Sequence, residues 1–79
     1  MRVQVFLKTP LFRGHYGANR EGELKATVVE LAGEAIARDG GLELNVASLH
    51  DTKGKPCEAP FKRIFLPMGK VDYYVIVQE

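Results

Sequence analysis

A second cysteine is missing. Cys57 stands alone among 79 residues, so no disulfide can close within the chain and a stapled secreted scaffold is excluded. Long apolar runs are missing too. None approaches the roughly 18 residues of a membrane-crossing helix. The N-terminal run from Met1 is broken by Gln4 and stops at Lys8, too short for a signal-peptide core. These features lead us to expect a reducing, cytoplasmic setting and no membrane partner. Internal repeats and low-complexity stretches are also lacking, so a repeat array is excluded. Net charge is small, +1, and by itself argues for no class of partner.

Motifs of chemistry are equally scarce. His15, His50 and Cys57 are the soft metal ligands, and no two of them stand at a metal-binding spacing. No metal or cofactor is expected. Cys57 lies between Pro56 and Glu58, where a carboxylate opposes thiolate formation, so it reads as an inert loop thiol. Glu30 and Glu34 stand four residues apart, but general acid–base work needs one of them buried, and nothing in the sequence demands that.

What is present suits one small domain over residues 1–79. Hydrophobic residues make up 46% and charged residues 27%, too apolar for disorder. A chain this short buries only roughly 60–65% of its unfolded surface, so its stability margin is thin. Charge is segregated along the chain. Residues 1–20 hold Arg2, Lys8, Arg13 and Arg20 with no acid, whereas residues 21–43 hold six acids against Lys25 and Arg38. Residues 44–70 hold five bases against Asp51 and Glu58. Segregation of this kind creates local fields that a small net charge hides.

Val3, Val5 and Leu7 alternate and predict a strand over 2–8, with Pro10 ending regular pairing or confining it to an edge. Leu24, Val28, Leu31 and Ala35 recur at spacings of 4, 3 and 4 and predict an amphipathic helix over 21–38. Asn19 suits its N-cap and Gly40 its left-handed C-cap. Gly33 then fits where a helix approaches a sheet closely. Leu42, Leu44 and Val46 predict a strand over 42–50, and Asp51-Thr52-Lys53-Gly54 has type I turn composition. Strands follow at 61–66 and 71–78. The last is apolar on both faces, as expected of a covered or interfacial strand. The order β-α-β-β-β gives an α+β fold, one amphipathic helix on a mostly antiparallel sheet of about four strands.

The tail Ile64-Phe65-Leu66-Pro67-Met68-Gly69-Lys70-Val71-Asp72-Tyr73-Tyr74 resembles the end of small SH3-like or Sm-like barrels. In those folds a strand, one tight helical turn and a last strand follow in that order. The resemblance covers about eleven residues and implies an alternative architecture, a small barrel with a helical insertion.

Two surfaces attract functional readings. The loop 13–20 holds Arg13, His15 and Arg20 with Gly14 and Gly17 and enters the expected helix, an arrangement able to hold an anion, although it matches neither a P-loop nor a dinucleotide fingerprint. The plainer reading is a connector with turn glycines. Lys53, Lys55, Lys62 and Arg63 form a basic cluster interleaved with Phe61 and Phe65, suited to phosphate contacts and base stacking on nucleic acid. Alternation leaves open whether those rings face solvent or the core.

The preferred expectation is therefore a non-catalytic binding or regulatory module touching nucleic acid or protein. Self-association through Val71 to Val77 fits, because an apolar strand left on an edge pairs with another copy. The alternative is a small enzyme or anion-binding protein using loop 13–20, with His15 as proton shuttle.

Overall fold

Eight strands and one helical turn account for the architecture, in a computed structural model that describes residues 1–16 and 22–79 (backbone alone at 15 and 16). The strands are β1 (Arg2–Leu11), β2 (Gly14–Tyr16), β3 (Gly22–Leu24), β4 (Val28–Arg38), β5 (Gly41–Asp51), β6 (Pro56–Cys57), β7 (Arg63–Pro67) and β8 (Val71–Gln78). A single 3₁₀ turn, Met68–Lys70, joins β7 to β8. Six strands form one antiparallel sheet in the order β6-β5-β4-β1-β8, with β7 also pairing β5. β2 and β3 form a separate two-stranded ribbon.

The α+β expectation is overturned. The protein is all-β among the described residues, and no helix packs on the sheet. The segment 22–38 is β3 followed by the long strand β4. Its helix-like spacing has a simple origin. Leu24 belongs to β3, and residues 25–27 separate it from β4. Within β4 the true period is two, with Leu31, Gly33 and Ala35 all facing inward. A bulge at Val29 shifts the phase, because Val28 pairs Asp51 while Glu30 pairs His50. One strand break and one bulge thus reproduce spacings of 4, 3 and 4. The inward residue that would have betrayed the alternation is a glycine.

Gly33 is required by a close approach, here of a neighbouring strand. A Cβ at this position would overlap the carbonyl oxygen of Asn45. There β5 carries its own bulge, with Ala32 opposite Ser48 but Gly33 opposite Val46. That bulge also flips the phase of β5, which buries Leu42 and Leu44 before it and Leu49 after it. Gly40, expected as a helix C-cap, has φ +82° and sits in the Asp39-Gly40 turn between β4 and β5. Asp-Gly is a favoured hairpin dipeptide, and the left-handed conformation serves a hairpin as well as a cap.

The strands expected at 42–50, 61–66 and 71–78 are present as β5, β7 and β8. The strand, helical turn and strand order of the SH3-like or Sm-like resemblance is present over 63–78, but the helical insertion of that alternative is absent. The 51–54 turn closes as expected, with Gly54 N–H donating to Asp51 C=O at 3.0 Å.

With no helix to cover it, the sheet buries a core by bringing its own strands and the β2–β3 ribbon around one interior. Val3 and Val5 of β1, Leu24 of β3, Leu31 and Ala35 of β4, Leu42, Leu44 and Leu49 of β5, Leu66 of β7 and Val71 of β8 share one cluster. At roughly 1.5–3 kcal/mol for each large side chain removed from water, this cluster is the main source of stability.

Candidate functional site

The sheet has two edges, and they differ in kind. One is formed by β6 and β7, both hydrogen-bonded to β5. The other is β8, hydrogen-bonded to β1.

The β6–β7 edge is punctuated by Pro56, Pro60 and Pro67, each lacking a backbone donor. It also carries the expected basic cluster. Lys53 and Lys55 lie in the exposed turn after β5, where their backbone N–H groups both donate to Asp51 Oδ1 at 2.9 Å. Those two bonds, that from Lys55 foremost, hold the Asp51 carboxyl below its ordinary value. Lys62 is exposed before β7, and its carbonyl accepts from Val46 N–H at 2.8 Å. Arg63 opens β7 on the outer face, but its guanidinium is engaged by Glu43 Oε2 at 2.8 Å. Arg38 reaches the same oxygen at 3.5 Å. The Arg63 bond, more than the other charges around it, lowers the Glu43 carboxyl. The two rings divide: along β7, Ile64 and Leu66 face inward while Arg63 and Phe65 face out, whereas Phe61, ahead of the strand, is half-buried against the core. The two pairs of bases therefore share one edge but flank different parts of β5, Lys53 and Lys55 beyond Asp51 and Arg63 opposite Asn45.

The loop 13–20 loses the premise of its anion reading. The helix whose N-terminus was to hold the anion does not exist; the chain runs through β2 into β3. Arg13 is exposed ahead of β2. His15 sits on β2, paired in backbone register with Glu23, and Arg20 lies outside the described residues.

A pair that sequence periodicity does not reveal lies on the outer face between β4 and β5. His50 Nδ1 is 3.2 Å from Glu30 Oε2, both side chains about three-quarters buried. The nitrogen is closed off from solvent and makes no well-formed hydrogen bond. Residues 30 and 50 meet only through the β4–β5 hairpin, so a helical reading of β4 conceals them. Cys57 is half-buried on the opposite face of the sheet, packed against the core with Leu49 as its strand partner. Burial, and secondarily the charge of Asp51, pushes its thiol pKa up, away from nucleophilic use. Among the described residues no cluster of three His, Cys, Asp or Glu side chains is present.

The β8 edge is the reverse of the β6–β7 edge. Tyr73, Val75, Ile76 and Val77 are 44–57% exposed, a dense run of large apolar side chains. Phe6 of β1 stacks on Tyr73 with ring centroids 4.7 Å apart, so the apolar surface continues onto β1. From Tyr73 to Val77 there is no charge, proline or glycine. Among the described residues, no strand pairs the outer side of β8.

Comparison with protein-family models, with curated proteins and with solved structures returns no match. Among the described residues no helix is long and apolar enough to cross a membrane.

Proposed function

We propose that the protein is a non-catalytic binding module whose working surface is the β8 edge, which adds a strand from a protein partner to the sheet. The contrast between the two edges carries this reading. Open strand edges invite pairing, and proteins normally blunt them with proline, lysine or charge. The β6–β7 edge is blunted in this way, whereas the middle of β8 has none of these devices and presents side chains that gain by burial. Strand addition draws affinity from main-chain hydrogen bonds and specificity from the alternate side chains. A nine-residue peptide matching Val71–Glu79, titrated into ¹⁵N-labelled protein, is expected to shift the β8 amides and leave those of β5 in place. Absence of any β8 response to this peptide and to an unrelated alternating Val-Thr peptide, each up to millimolar, overturns the reading.

A second reading is favoured by one observation: Phe65 is 48% exposed on the basic edge, available for base stacking. Single-stranded oligonucleotide binding is then expected to weaken steeply with salt, as phosphate contacts release counterions. Affinity indifferent to salt, or absent at low salt, removes this reading.

A further inference from the structure

We infer that the strand completing the β8 edge comes from a second copy of this chain, antiparallel to the first, with the two-fold axis at Val75. This rests on the reading of β8 as the binding edge and names its occupant.

Symmetry restricts the choices. Facing residues in an antiparallel pair must point to the same side of the sheet, so a two-fold axis must pass through a residue position. The register shifts against β1 mark the regular centre of the strand, where the axis must lie. Phe6, Val5, Gln4 and Val3 pair in unbroken sequence with Tyr73, Tyr74, Val75 and Ile76, and an irregularity follows at each end. The axis therefore falls at Tyr74 or Val75.

Side-chain chemistry separates these two. An axis at Tyr74 sets the Asp72 carboxylate against Ile76 of the second copy, a charge facing an apolar group. An axis at Val75 sets Asp72 against Gln78, Tyr73 against Val77, Tyr74 against Ile76 and Val75 against itself. Polar then meets polar, and aromatic meets β-branched, a favourable cross-strand combination. No like charges face one another. The sequence of β8 is thus self-complementary about Val75. Joining the copies continues each six-stranded sheet into the next and covers the exposed Tyr73 and Val75 alongside Phe6.

Cysteine cross-linking reads this register. In a Cys57→Ser background, Val75→Cys places two sulfurs at directly facing positions. The Cα atoms there are about 4.5–5.5 Å apart, within reach of a disulfide. Ile76→Cys places them diagonally, at about 8 Å from a rise of ~3.4 Å per residue and a strand spacing of ~5 Å, out of reach. Mild oxidation is expected to double the 8.8 kDa mass for Val75→Cys and not for Ile76→Cys. Sedimentation of the unmodified protein is expected to show a concentration-dependent dimer, and Val75→Lys, which sets two ammonium groups face to face, to abolish it while leaving the fold intact by circular dichroism. Equal cross-linking at 75 and 76, or a monomer at millimolar concentration, overturns the inference. If the protein stays monomeric yet an unrelated alternating Val-Thr peptide shifts the β8 amides, the binding edge stands and only its occupant is wrong. If neither copy nor peptide touches β8, both readings fall together.

Discussion

Gly33 and Gly40 separate two reasons for a glycine. At Gly33 the backbone has no room for a Cβ, because the Asn45 carbonyl occupies its place. Gly33→Ala must push two central strands apart and is expected to cost about 1–3 kcal/mol or more, read by urea denaturation. At Gly40 a Cβ would meet nothing within 4 Å, and the requirement is φ +82° alone. Gly40→Ala is expected to cost about 1–2 kcal/mol, and Gly40→Asn clearly less, because asparagine tolerates the left-handed region. Equal losses for the two Gly40 variants would show that conformation is not what selects glycine there. Asp51 offers a pH test. Its carboxylate accepts two backbone N–H bonds that its protonated form accepts less well, so its folded pKa lies below the unfolded one. The turn's stabilisation is complete above the ordinary carboxylate range and is lost as pH falls through the lowered folded value. Side-chain NMR titration is expected to place the Asp51 midpoint below that of an unstructured aspartate; a midpoint at or above it refutes the account of the turn. Cys57, with its pKa raised by burial, is expected to react with iodoacetamide at neutral pH more slowly than a free thiol.

At the scale of elements, the legible strands were those with clean alternation and plain turn chemistry. Leu42 and Leu44 announced β5, Asp51 to Gly54 announced its turn, and Val71 to Val77 announced β8. β4 was illegible as a strand for local reasons. Its inward positions include Gly33 and Ala35, which carry little hydrophobic signal, and the Val29 bulge inserts a spacing of three. Asp39-Gly40 is a hairpin signal in its own right, but glycine after an amphipathic run also reads as a helix stop. The error propagated to function. Treating 21–38 as a helix created an anion-binding N-terminus at loop 13–20 that the protein lacks, and it hid the Glu30–His50 pair across the hairpin. The basic cluster was legible as composition. That it lies along one edge, with Arg63 held by Glu43, depended on pairing that no single strand reveals.

The whole molecule is small enough for each core leucine to matter. At roughly 0.05–0.15 kcal/mol per residue, a 79-residue chain has about 4–12 kcal/mol of net stability. Leu31→Ala or Leu49→Ala, both fully buried, is expected to remove about 2–5 kcal/mol and to bring the protein close to unfolding. Exposed ion pairs such as Arg2–Glu34, at 3.6 Å, contribute at most about 1 kcal/mol each and cannot compensate. The proposed pairing of a second copy on β8 would bury further apolar surface, and apparent stability is then expected to rise with protein concentration.

Hydrogen exchange along β8, followed by NMR at micromolar and at millimolar protein, tests the central claim most directly. Alternate amides of this strand point toward β1 or away from it. The account predicts that the outward amides between Tyr73 and Val77 exchange freely in dilute solution and become protected in concentrated solution, while the inward ones stay protected throughout. Outward amides that exchange equally fast at both concentrations would contradict it.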